Sequence, residues 1–294
     1  MQDQTEIKET KISHPWKIFL WEAFLFLITL GLGIVSAFKL RKLSKIEKIE
    51  ISPVSFWQFL LYFSLATLFI LFISLLGKRF KRGKEVIFKA LFIFAIVLGG
   101  LISFSLWLPD FFALILVVIL VFGWLIKPIV FLHDFAMISG VVGVSCILGL
   151  SLNPLVMVAF LIIFSIYDYI AVYKTKHMVK IAKEMIETGA ILGFILPQKF
   201  SDLLAGLKKV RVPAKRVEGK FLVLGGGDVA FPLLFCVSLL PSGILNSLIV
   251  GFYAFIGLLF SFVLFVSQKE RKPIPALPPI ALFSIIGFLI TKLI

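Results

Sequence analysis

Lys220-Phe221-Leu222-Val223-Leu224-Gly225-Gly226-Gly227-Asp228-Val229-Ala230-Phe231-Pro232-Leu233-Leu234-Phe235-Cys236-Val237-Ser238-Leu239-Leu240 is an apolar run broken once, by an aspartate behind three glycines. A hydrocarbon core of about 30 Å takes roughly 20 helical residues to cross, and residues 221–240 supply that length before Pro241. A carboxylate in such a run costs on the order of 3 kcal/mol on insertion scales, so it is read first as a functional group. The stretch therefore predicts a membrane-spanning helix that carries an acid for a purpose.

Eight more windows of the same kind surround it, at 18–38, 54–76, 90–108, 111–126, 129–150, 154–173, 243–266 and 276–291. They are separated by Pro53, Lys78-Arg79, Pro109-Asp110, Lys127-Pro128, Asn153-Pro154, Pro241 and the prolines from Pro273 to Pro279. Proline lacks an N–H and clashes with the preceding turn, so it ends or kinks helices. The 294-residue chain is 60% hydrophobic and only 16% charged. A soluble domain has about half its residues apolar and about a quarter charged, and a disordered chain carries far less apolar surface. The fold class expected is all-α: a polytopic membrane protein of nine transmembrane helices. Residues 1–150 would hold spans one to five as a scaffold. Residues 151–294 would hold spans six to nine and a cytoplasmic loop at 174–220. The first window is of span length and has no A-x-A-like cleavage site, so it reads as a span and not a signal peptide.

The formal charge of +14 lies in the gaps between apolar runs. Nucleic-acid binders gather such charge into a patch on a soluble face, so no nucleic-acid partner is expected. Nine spans divide the 30 Lys and Arg 24 to 6 between the two sides, with the N-terminal side richer. The positive-inside rule then predicts a multi-pass protein of the cell membrane, N-terminus cytoplasmic and C-terminus outside. Cys146 and Cys236 fall within spans and read as isolated buried thiols. No internal repeat of the kind seen in many transporters is evident.

Few ionisable residues lie within the windows. Glu22, one turn inside the first, reads as snorkelling to the headgroups. His133 and Asp134, at the start of the fifth, read as an interfacial hydrogen-bonded pair, and Asp110 as solvated in a turn. Asp168 and Asp228 cannot easily reach water. Asp168 precedes Lys174 by six residues and Asp228 follows Lys220 by eight, about 9 and 12 Å along helices rising 1.5 Å per residue. Both distances start from one loop, so the sixth and seventh helices would bring the two carboxylates to similar depth.

Two carboxylates a few ångströms apart cannot both ionise cheaply and share a proton. The ionised one can deprotonate a water while the other protonates a carbonyl oxygen, which is acid–base hydrolysis without metal or covalent intermediate. The glycines before Asp228 would let a peptide backbone approach and loosen the helix, although close helix packing also uses such glycines. A proton-coupled transporter or ion-leak channel could use the same paired aspartates. His14, His133 and His177 form no H-E-x-x-H, so no metal site is expected. No G-x-S-G is present either, and no cofactor is called for.

Three motifs stand in order on the later spans: Tyr167-Asp168, Gly225-Gly226-Gly227-Asp228, and Pro275-Ala276-Leu277-Pro278. With this span order they resemble the YD, GxGD and PALP motifs of the presenilin and signal peptide peptidase family of intramembrane aspartyl proteases. Prepilin peptidases share a GxGD-type aspartate but lack the PALP element. The stretches Tyr167 to Val172 and Lys220 to Phe231 are more similar to presenilin, and the short loops resemble a microbial, archaeal homologue. The resemblance implies a presenilin-like fold and a catalytic pair, Asp168 and Asp228. It implies that Pro275, Ala276, Leu277 and Pro278 shape the site beside Tyr167, Leu224, Gly225, Gly226 and Gly227. It implies substrates that are transmembrane helical proteins in the lipid bilayer. Presenilin works with partner subunits and is cut in its long sixth-to-seventh loop. Here that loop runs only from 174 to 220 without a similar hydrophobic segment, so no obligatory partner subunit is expected; a homo-oligomer is left open.

Within the loop, Met178, Ile181, Ala182, Met185 and Ile186 share one helical face, which predicts an amphipathic helix at 177–188. It would lie on the membrane surface or pack on the protein. Val210-Arg211-Val212 alternates like an edge strand that could pair with an unwound substrate, or it belongs to an ordinary loop.

Overall fold

The computed structural model describes residues 15–48, 50–75, 81–207, 221–268 and 273–293. Val210-Arg211-Val212 lies outside the described residues. The helices run in the order α1 (Pro15–Glu47), α2 (Phe56–Leu75), α3 (Lys81–Ser105), α4 (Asp110–Ile126), α5 (Val130–Ser151), α6 (Pro154–Tyr169) and α7 (His177–Thr188). After α7 come strands β1 (Gly193–Pro197) and β2 (Phe221–Gly225), then α8 (Gly226–Ser238), α9 (Ile244–Val266) and α10 (Leu277–Ile290). Every apolar window contains a helix. Six of these are long and apolar enough to cross a membrane, with α6 counted through Lys174. Three apolar helices are shorter: α4, α10 and the segment from Gly226 to Ser242.

The window at 221–240 is not one helix. Its first five residues form β2, antiparallel to β1, and the helix begins only at Gly226. The all-α expectation is corrected to a mostly helical fold with one β-hairpin. A local cause is visible in the sequence: Phe221, Leu222 and Val223 favour extended chain, and three successive glycines disfavour helix initiation upstream of them. The depth argument changes too. Asp228 lies in the first turn of α8, above an extended segment rising about 3.3 Å per residue, and not eight helical residues from Lys220.

Helix α5 sits at the centre, with 67% of its spanning window buried against 11% for α2. It can because its contact face is small. A Cβ at Gly99 of α3 would run into the backbone of Gly140, and one at Gly143 into the backbone of Gly99, so α3 and α5 meet backbone to backbone. On another side, Gly149 receives Val237 of α8, and the Cys146 thiol bonds the Gly33 carbonyl of α1 at 3.6 Å. Cys146 and Cys236 are both free and buried, as read. Small-residue contacts of this kind replace the hydrophobic drive that lipid cannot supply. Helices α9 and α10 form a close antiparallel pair, with Gly257 against Ile280. Helix α2 attaches mainly through aromatic rings: Phe56 and Phe59 on Phe160 at 4.9 and 4.6 Å, and Phe63 on Phe164 at 4.2 Å.

Candidate active site

Asp168 lies one residue before the regular end of α6 and is buried. Asp228 lies in the first turn of α8. The two carboxylates lie within electrostatic range of each other. Two successive apolar helices thus carry the pair, as expected, with Asp228 in the first turn of its helix and not in the helix interior.

Each carboxylate is aimed by one backbone N–H. Gly225 is the N-cap of α8 and Asp228 the third residue within it, and the Gly225 N–H is directed at the Asp228 carboxylate. That is the acid half of a capping box. A Cβ on Gly225 would sit 2.7 Å from Asp228 Oδ2, so the glycine leaves room for the carboxylate to fold back. Pro232, inside α8, has no N–H to return to the Asp228 carbonyl four residues earlier.

Asp168 takes its donor from α10. The backbone N–H of Leu277 is directed at its carboxylate. Pro278 and Pro279 have no N–H, and the Ile280 N–H is spent on the Ala276 carbonyl at 3.5 Å. Leu277 therefore holds the free donor of that helix start. Proline is well placed in the first turn of a helix, where no donor is lost. Pro275 and Leu277 are buried, and Ala276 and Pro278 half-buried. Asp168 Oδ2 is left without a hydrogen-bond partner.

The hairpin is fixed from α5. His133 Nε2 donates to the Gly193 carbonyl at 3.0 Å, and Asp134 Oδ1 accepts the Ile195 N–H at 2.8 Å. Both side chains are buried, and the His133 ring stacks on Phe92 at 4.8 Å. The expected interfacial His133–Asp134 pair is corrected: each holds β1, not the other, because strand backbone turned away from its partner needs donors and acceptors. Since Ile195 bonds to α5, its partner Val223 sits in a non-hydrogen-bonded pair, with its N–H and carbonyl on the outer edge of β2. Val223 is 39% exposed, and β2 runs directly into Gly225 and Asp228. The hairpin's open edge thus leads to a carboxylate.

Away from the loop, Phe164 and Phe231 meet at 4.7 Å, one turn from Asp168 and Asp228 respectively, and Phe63 of α2 closes on both. This aromatic roof keeps the pair dry on that side. Glu22 is also corrected. It is 9% exposed and within electrostatic range of Asp228, so it faces the interior and does not snorkel. Asp110 is exposed at the start of α4. Helix α7 matches the expected 177–188 and is partly packed on the protein: Met185 is buried, Ile181 and Ile186 rest on the core, and Lys84 of α3 pairs with Glu184 at 3.4 Å. Among the described residues, no group of three or more His, Cys, Asp or Glu could hold a metal ion.

Over residues 22–294 the sequence matches the family described as signal-peptide peptidase, presenilin aspartyl protease. The chain belongs to that family. Presenilin-family structures share its fold as well. One solved structure, of a presenilin family intramembrane aspartate protease in a C222 crystal, has TM-score 0.58 and 21% identity, covering 94% of this chain and 97% of that one. A second, in space group P2, has TM-score 0.56 and 23% identity, covering 92% and 96%. No curated protein matches the sequence. As a member of the signal-peptide peptidase and presenilin family, the protein is an intramembrane aspartyl protease, a hydrolase of transmembrane substrates. The roles of α5, of the hairpin and of Phe63 were missed from sequence. His133-Asp134 was the one available signal, two polar residues at the head of an apolar window.

Proposed function

We propose that Asp168 and Asp228 are the catalytic pair of this protease and share one proton. The observation that carries this reading is the convergence of two independently aimed carboxylates, one held by the Gly225 N–H and one by the Leu277 N–H. The ionised carboxylate takes a proton from water as the water oxygen attacks the scissile carbonyl carbon. The protonated partner gives its proton to the carbonyl oxygen, leaving a neutral tetrahedral intermediate. One carboxyl group then gives its proton to the amide nitrogen while the other, ionised one takes the proton of a hydroxyl of the intermediate. The C–N bond breaks to a carboxylic acid and an amine, and the pair is again left with one proton and one negative charge.

A helical substrate must unwind first, because its carbonyls are bonded and covered. The outer edge of β2 offers an extended segment the Val223 N–H and carbonyl, which is strand addition beside Asp228. Tyr167, Leu224, Gly226 and the Pro275–Pro278 segment shape the walls, while Gly227 faces the Phe231 ring. Nine spans, with the N-terminus in the cytoplasm of a cell and the C-terminus outside, suit the 24-to-6 division of basic residues. That orientation is presenilin-like, so substrates would arrive with N-termini outside. Activity as an uncut single chain follows from the short loop between α6 and α8.

The test uses the purified chain alone, in lipid vesicles with a transmembrane reporter peptide and an internal pH dye. Cut peptide without proton flux is the expected result. Proton flux with intact peptide would replace hydrolysis by the carrier reading.

A further inference from the structure

Asp168 stands at a weak point of its helix. Regular α6 ends at Tyr169, and Ile170–Lys174 continues as a π turn closed by the Thr175 N–H on the Ile170 carbonyl at 3.0 Å. Single π turns are rare and concentrate at functional sites, and helix ends fray unless tied down. Two residues after it, Lys176 adopts φ 54°, the left-handed region that side chains other than glycine seldom occupy. The chain reverses there, and His177, first residue of α7, swings back onto α6. Its Nε2 lies 2.9 Å from the Tyr167 hydroxyl, and its Nδ1 is hydrogen-bonded to Thr175 Oγ1. Thr175 Oγ1 also reaches the Ile170 carbonyl at 3.3 Å.

We propose that His177 is a positioning residue of the protease: held by Thr175, its imidazole grips the Tyr167 hydroxyl and so fixes the helix turn that carries Asp168. The inference rests on the reading of Asp168 as catalytic. Tyr167 is the residue immediately before Asp168, and its hydroxyl is within electrostatic range of that carboxylate. The grip is anchored at its far end, because α7 is pinned by Met185 in the core and by the Lys84–Glu184 ion pair to α3. A line of contacts therefore runs from the packed loop helix to the catalytic turn, through one histidine that touches neither water nor substrate in the reaction. Without it, the last turn of α6, which carries Tyr167 and Asp168 next to the π turn, loses its tie to α7 and is free to fray. The loop between the catalytic helices is, in this account, part of the catalytic apparatus.

A double-mutant cycle tests the grip. Cleavage of the reporter peptide in vesicles is measured for wild type, His177→Ala, Tyr167→Phe, the double variant and His177→Gln. Each single loss is expected to lower kcat about tenfold with KM little changed, and the double no further, because both remove one contact. His177→Gln, which keeps a side-chain donor and acceptor, should recover most of kcat. The proposal is overturned if His177→Ala stays within twofold of wild type, if the two losses multiply, or if glutamine restores nothing. Should His177→Ala not fold, His177→Gln against Tyr167→Phe decides by the same kcat comparison. Asp168→Asn is run beside them. If it still cuts, the reading of the catalytic pair fails; if it is dead while the cycle multiplies, only the role of His177 fails.

Discussion

Asparagine at position 168 or at position 228 is expected to lower transmembrane-peptide cleavage about a thousandfold or more, to the background of the assay. Asparagine has the size and shape of aspartate, but it neither accepts a proton from water nor donates one to a carbonyl oxygen. Neither aspartate has an ion-pair partner among the described residues, so neither substitution breaks a salt bridge that holds the fold. Melting in detergent should therefore stay at or above the wild-type value, since a neutral amide costs less to bury than a carboxylate. Cleavage products counted by mass spectrometry, beside the melting curve, separate loss of chemistry from loss of structure. Substantial cleavage by both variants would remove the pair from the mechanism.

Alanine at position 225 should reduce kcat about a hundredfold while leaving the protein folded. The new methyl group would lie 2.7 Å from Asp228 Oδ2 and 3.5 Å from its Cγ, so the carboxylate must turn away from its N–H. The backbone is not the cause, because Gly225 has φ −59° and ψ 136°, which any residue adopts. Gly227 is the control: a Cβ there meets only the Phe231 ring, at 3.4 Å. Gly227→Ala should keep most of the activity. Equal losses from the two substitutions would mean that the glycines serve helix loosening, and not clearance for Asp228.

The helical frame was legible because lipid leaves a chain little choice. Backbone polar groups must be satisfied within each span, so each apolar stretch between proline and charge breaks contains a helix. Asp168 and Asp228 stood out for the same reason. The hairpin was hidden because Phe221 to Leu224 is as apolar as a span, and a short continuous apolar run shows no period that tells strand from helix. Only the β-favouring residues before the glycines hinted at it. His133 and Asp134 stand at the expected helix start, but their partners lie 60 and 61 residues away in β1, a separation no local pattern encodes. Glu22 was misread because one turn from a helix end usually means reach to water. Here α1 extends from Pro15 to Glu47 and carries Glu22 inward against the bundle. Helix α7 was read to its residue limits because its periodicity is strong, yet the bond from His177 back to Tyr167 depends on a π turn and a left-handed lysine that composition does not announce.

The central claim is that two carboxyl groups work with one proton between them, and the pH dependence of kcat/KM tests it most directly. Measured with the reporter peptide in vesicles whose two sides are held at the same pH, the profile should be bell-shaped: activity lost on the acid side when both groups are protonated, and on the alkaline side when both are ionised. A profile with a single limb, or a flat one across the range in which the protein stays folded, would contradict the shared proton and leave one aspartate without a role in the chemistry.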